Sequence, residues 1–173
     1  MSKVKAYLAN GLFSEADQAY NRFLAGEIRK EFPDLELYVP QENESLNDKE
    51  GYADSREIFK GDNSYLDRAH VLIAVLDGVE IDSGVAAEIG RFAVLREMDK
   101  QMIKRTDRII IGVSTDVRQQ GRGNEKKINA LIMDGTENQF SYRNLYVIGA
   151  IKENGHMVSS SEELIKKLHE VLG

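Results

Sequence analysis

Apolar residues fall along the chain in two alternating rhythms. Short runs at VKAYLA (4–9), ELYVP (36–40), HVLIAVLD (70–77), RIIIGVS (108–114) and NLYVIGAI (144–151) have the length of strands. The third is apolar throughout, as a strand buried on both faces must be. Between the runs, apolar positions recur at helical spacing. The first helix is predicted to carry Ala16, Ala19, Tyr20, Phe23, Leu24 and Ile28 and to end at Pro33. Ser14 suits its N-cap, and Asp17 stands where a carboxylate favours the positive helix end. Further helices are predicted over 54–68, over about 84–98, and in SSSEELIKKLHEVLG at the C-terminus, with a serine cap and a glycine stop. Two stretches have neither rhythm and predict loops: QENESLNDKEGYAD (41–54) and residues 115–127, the second mobile, with Gly121 and Gly123 among charges.

Strands alternating with helices predict an open parallel sheet covered on both faces. Such sheets bind ligands beyond the carboxyl ends of their strands. Three ends carry candidate chemistry: Tyr7 to Phe13, Asp77 to Asp82, and Ser114 onward.

Bulk composition narrows the classes. A chain of 173 residues fits one domain that buries roughly 70% of its unfolded surface. A net charge of −6 speaks against nucleic-acid or anionic-membrane partners, which need a dense basic patch. The only basic clusters are Lys104, Arg105 and Arg108, then Arg118, Arg122, Lys126 and Lys127. Without cysteine there is no disulfide, thiolate catalysis or zinc–sulfur site. No apolar run approaches the ~20 residues of a membrane span, and MSKVKAYLANG lacks the apolar region of a secretory signal. A cytoplasmic location is the expectation.

The stretch LDGVEIDSGVAAEIG (76–90) holds Asp77, Glu80, Asp82 and Glu88 with no base among them. Asp82 is placed to cap the helix it precedes, and Gly84 lets a chain segment or ligand approach the helix start. Glu88 falls between Phe92 and Leu95, near Val85 and Ile89, at the edge of an apolar stripe. A carboxylate there loses solvation, and its pKa rises unless it is paired. The alternative is a rim salt bridge to Arg91, three residues on. Asp77 and Glu80 read as loop carboxylates. The four acids lack the alternating spacing of a calcium loop, so no metal is expected. His70, His156 and His169 are isolated and read as structural or exposed. No phosphate-cradling glycine motif is present.

Several segments together resemble the nucleoside 2-deoxyribosyltransferase family: KAYLANGLFSEAD, then GDNSYLDRAHVLIAVLDG followed by DSGVAAEIGRF, then YRNLYVIGAI. The resemblance covers nearly the whole chain. It implies a single-domain α/β fold with an open, mostly parallel five-stranded sheet of flavodoxin or Rossmann type, and no cofactor. It also implies base exchange between 2′-deoxynucleosides and free nucleobases, by a retaining double displacement through a glutamyl intermediate. The family's nucleophile matches Glu88, its positioning tyrosine Tyr7, and its two aspartates Asp62 and Asp82. Of these, Asp82 is expected to hold and protonate the base and Asp62 to contact sugar or base. Asn144 matches an asparagine that reaches a neighbouring subunit's site and binds the sugar 5′-hydroxyl, which implies a homo-oligomer. Asn10, Gly11 and Phe13 stand where the family packs the nucleobase, although Phe13 also suits a core position. The family includes hydrolases of deoxynucleoside 5′-monophosphates with the same tyrosine, aspartate and glutamate; Ser83 or the region from Arg118 to Arg122 would then serve the phosphate. A nucleotide-sensing module that has kept the fold is the non-enzymatic alternative.

Overall fold

The computed structural model describes residues 3–47, 52–102 and 107–173. Lys104, Arg105 and the middle of the 41–54 excursion lie outside the described residues. Strand β1 (Lys5–Ala9) leads to helix α1 (Glu15–Glu31) and strand β2 (Glu36–Tyr38). A 3-10 turn (Pro40–Glu42) and the short α2 (Glu44–Asn47) follow, then α3 (Ser55–Leu66), β3 (Val71–Val75) and α4 (Ser83–Met102). The second half runs through β4 (Ile109–Val113), α5 (Glu125–Met133), α6 (Leu145–Asn154), β5 (Gly155–Val158) and α7 (Ser161–Leu172).

The strands form one parallel five-stranded sheet in the order β2-β1-β3-β4-β5. The chain reverses its direction of growth between β1 and β3, so a crevice opens there at the carboxyl edge. Side-chain alternation divides the core into two. Ala6, Leu8, Val71, Ile73, Ile111 and Val113 face α1 and α7, where Leu24, Ile28, Leu164 and Leu168 cover them. Tyr7, Ala9, Leu72, Ala74 and Ile110 face the other way, onto Leu66 of α3, Val85, Ile89 and Phe92 of α4, and Val147 and Ile151 of α6. Tyr7 brings a phenol into this second layer, and Tyr38 at the end of β2 packs against it with another.

Four of the five predicted strands are present at their expected places. The run NLYVIGAI is instead the helix α6. Asn144 caps it by accepting from the N–H groups of Tyr146 and Val147. Its buried residues Val147, Ile151 and Asn154 recur at helical spacing, which the continuous apolar run concealed. The fifth strand is the next segment, GHMV, an edge strand with a single neighbour and no apolar run to announce it. The expected loops also carry structure: the 3-10 turn and α2 in the first, a 3-10 turn at Val117–Gln119 and the start of α5 in the second. In α1 the capping box at Ser14 and Asp17 forms, but the buried face is Asn21, Leu24, Ala25 and Ile28, leaving Phe23 outside. His70 accepts the Lys5 N–H and His169 packs on the Phe32 ring, both structural uses. Among the described residues no helix is long and apolar enough to cross a membrane.

Close backbone contact fixes the β4–β5 edge. A Cβ on Gly155 would lie 1.7 Å from the Ile110 carbonyl oxygen, so any side chain must push the strands apart. Gly155→Ala is therefore expected to cost about 2 kcal/mol or more, as overpacking against rigid backbone does. Urea unfolding against a Gly149→Ala control, where no atom lies within 4 Å of the added carbon, measures the difference.

Candidate active site

The crevice is built around one hydrogen bond between the sheet and α4. Tyr7, fully buried on β1, donates its hydroxyl to Glu88 Oε1 at 2.5 Å. Arg91, the other conceivable partner of Glu88, turns away and forks onto Asp67, both bonds 2.7 Å. The rim salt bridge to Arg91 is thus not formed. Burial, helped by the charges of Asp62 and Asp82, pushes the Glu88 carboxyl up to about 7 against the pull of the Tyr7 hydrogen bond. The Tyr7 hydroxyl is pushed far above its ordinary range by burial and by the Glu88 charge, so it stays a donor.

Asp62 comes from α3. Its Oδ1 accepts from the Tyr38 hydroxyl at 2.9 Å, and the Asn43 amide donates to that same hydroxyl at 2.9 Å. The Tyr38 ring stacks on Tyr65 at 3.8 Å and lies 5.2 Å from the Tyr7 ring. Burial raises Asp62 above the usual carboxylate range while the Tyr38 bond draws it down. Asp82 caps α4 as expected, Oδ1 accepting from Gly84 N (2.8 Å) and Val85 N (3.1 Å). Gly84 serves this cap, since a Cβ there would sit 3.0 Å from the Asp82 oxygen.

The turn after β1 supplies the third side. Asn10 donates to Asn21 Oδ1 at 2.8 Å, and Asn21 Nδ2 donates to the Gly11 carbonyl and to Gln41 Oε1, each at 3.0 Å. Asn21 is 3% exposed, a buried amide with oxygen and nitrogen both engaged. Phe13 is 79% exposed, which removes its core reading. Tyr38, Asn43, Asn21 and Gln41 are the residues that sequence reasoning missed. Tyr38 passed as a strand position, Gln41 and Asn43 lay in an aperiodic polar stretch, and only the helical spacing of Asn21 with Leu24 and Ile28 hinted that it faced inward.

The remaining predicted residues sit to one side. Asn144 is exposed at the start of α6, with Oδ1 engaged in the cap; it lines a cavity of about 240 Å³ with Glu80, Ile81, Tyr142 and Arg143. Asp77 has a structural partner, accepting from Thr115 N (2.8 Å) and Oγ1 (2.5 Å). Among the described residues no group of His, Asp and Glu is arranged to hold a metal ion. Three carboxylates and two phenols therefore converge on one crevice, an arrangement suited to attack on an electrophilic carbon with a cationic transition state.

The sequence profile described as nucleoside 2-deoxyribosyltransferase matches residues 6–131, which span every element of this crevice. A conserved protein from Enterococcus faecalis V583 has a solved structure with 40% identity, covering 98% of this chain and 99% of its own, at a TM-score of 0.85. A 2-deoxyribosyltransferase from Bacillus psychrosaccharolyticus shares the fold at 16% identity, over 94% of this chain and 90% of its own, with a TM-score of 0.61. No curated protein sequence matches the chain. With its profile match running from β1 into α5, the chain belongs to the nucleoside 2-deoxyribosyltransferase family.

Proposed function

We propose that this protein exchanges the nucleobase of 2′-deoxynucleosides by double displacement, with Glu88 as nucleophile. The observation that carries the reading is the desolvated Glu88 carboxylate held by a neutral phenol rather than by a cation. In the first step a Glu88 oxygen forms a bond to C1′ as the C1′–N bond breaks, and the leaving base takes a proton. The second base then gives up a proton, attacks C1′ and releases the carboxylate, so configuration is retained overall. Asp82 and Asp62 face the base. Asp82 has one oxygen engaged in the helix cap and serves to hold it. Asp62 is the better proton donor, because burial raises it. Arg118 is engaged with the Asp116 carboxylate, which argues against its use for a substrate phosphate and favours a free nucleoside over a 5′-monophosphate.

The same reading includes a homo-oligomer. Leu145 is 80% and Tyr146 87% exposed beside Asn144, and the adjoining α4 turns Ala87, Gly90 and Val94 outward where polar residues are the rule. A second copy covers this face and receives Asn144 for its sugar.

Glu88→Ala is expected to abolish exchange between thymidine and adenine followed by chromatography; undiminished turnover would refute the nucleophile. Because the nucleophile must be ionised, kcat/KM should rise with pH through a midpoint near 7. Stability moves the opposite way. A carboxyl raised from 4.5 to about 7 favours the fold most below its unfolded pKa, and that benefit is lost as pH rises through 7. Glu88→Gln should thus gain stability over wild type between about pH 5 and about pH 8, by on the order of 2–3 kcal/mol, in thermal unfolding. For the oligomer, Asn144→Ser keeps a capping side chain and should lose activity alone. Mixed and refolded with Glu88→Ala, it should recover about a quarter of wild-type activity, since half the pairs are mixed and each holds one intact site. No recovery would place Asn144 with its own subunit's site.

A further inference from the structure

The polar turn between β2 and α2 touches both walls of the crevice. Gln41 reaches one wall: its Oε1 accepts from Asn21, whose amide also fixes the Gly11 carbonyl and whose oxygen holds Asn10, while its Nε2 donates to the Gln18 carbonyl at 3.3 Å. Asn43 reaches the other through the Tyr38 hydroxyl, which in turn donates to Asp62. Between these two side chains stands one residue, Glu42, whose carboxylate is clamped by the two terminal guanidinium nitrogens of Arg29 on α1. The turn is anchored further by Asn47, whose amide donates to the Pro40 and Asn43 carbonyls.

We infer that the Pro40–Asn43 turn is a bracket that sets the two halves of the site separately, Gln41 positioning the Asn10–Gly11 loop through Asn21 and Asn43 positioning Asp62 through the Tyr38 hydroxyl. The inference rests on the proposed catalytic reading for its kinetic consequences, but its geometric content stands without it. Chemistry explains the choice of groups. A phenol that donates to a carboxylate fixes which oxygen is engaged and leaves the other for substrate. The Asn43 amide donates to the phenol oxygen, which leaves the phenol proton to Asp62. An amide in place of Asn21 supplies a donor and an acceptor at once, so one buried side chain ties a carbonyl and a second amide together. The stack of Tyr38 on Tyr65 keeps the ring in place when the hydroxyl is removed, so Tyr38→Phe deletes the relay and leaves the packing.

The two arms predict different kinetic signatures. Tyr38→Phe should lower kcat about tenfold with KM little changed, because Asp62 acts as the base leaves. Asn43→Ala should lower it less and add nothing in the Tyr38→Phe background, since it acts through that hydroxyl. Gln41→Ala should raise KM several-fold with kcat nearly kept. An activity-independent arm follows the Asp62 carboxyl by ¹³C NMR titration. The groups facing it are Tyr38 on β2, Tyr7 on β1 and Glu88 on α4. Loss of the Tyr38 donor should move its midpoint up by about half a unit or more, and Gln41→Ala should leave it in place. An unmoved Asp62 midpoint in Tyr38→Phe would overturn the bracket, as would Gln41→Ala shifting Asp62 or additive effects of the Tyr38 and Asn43 changes. If wild type exchanges no base while the midpoint moves as expected, the catalytic reading fails and the positioning stands.

Discussion

A carboxylate kept out of water and held by a phenol organises this molecule. The Tyr7–Glu88 bond joins residues 81 apart in sequence, across the interface between the sheet and α4. It sets conditions on both elements. β1 must have a register that turns Tyr7 toward α4, and α4 must bring Glu88 to the crevice while Val85, Ile89 and Phe92 fill the core beside it. A one-residue slip of β1 would send Tyr7 to the α1 face and leave Glu88 desolvated without a donor, a loss on both counts. Structural register and chemical competence are therefore the same requirement at this point.

The sheet order explains why the other groups gather here. Reversal of growth between β1 and β3 parts the connections that follow them and leaves the crevice open. Each wall is then supplied by the segment that leaves one strand: Asn10 and Gly11 after β1, Tyr38 and Asn43 around the end of β2, Asp82 and Glu88 after β3. α3 adds Asp62 from the layer that also carries α4. Tyr7 and Tyr38 lie on adjacent paired strands in register, which is why two phenols stand side by side and each addresses a different acid.

Much of this was legible in the sequence because it rests on local patterns. Continuous apolar runs gave β1, β3 and β4, the capping box gave the start of α1, and the placement of Glu88 on an apolar edge marked it as an unusual carboxylate, to which only the family resemblance attached a role. What escaped depends on partners distant in sequence. NLYVIGAI satisfies strand and helix alike, and only its packing of Val147 and Ile151 against α4 and β4 decides for the helix. β5 has no apolar signature because it needs one neighbour only. Asn21, Gln41 and Asn43 are ordinary polar residues whose meaning lies in hydrogen bonds that no spacing rule encodes.

The disposition of the cations completes the electrostatic argument. Arg91 pairs with Asp67, Arg108 with Asp99, and Arg143 lies between Asp77 and Asp116. Each of these arginines comes from an element bordering the second core layer or the carboxyl edge, and each is neutralised by an acid other than Glu88, Asp62 or Asp82. A guanidinium on Glu88 would lower its pKa, but in the proposed reaction it would oppose the positive charge that grows on the sugar as the base departs. A phenol orients Glu88 and carries no charge, so in the proposed reaction the field of the three acids is left to stabilise an oxocarbenium-like transition state. The raised pKa of Glu88 follows from the same arrangement: burial without a cation disfavours its charge, the charges of Asp62 and Asp82 add to this, and in the proposed reaction that cost is relieved as positive charge forms beside it.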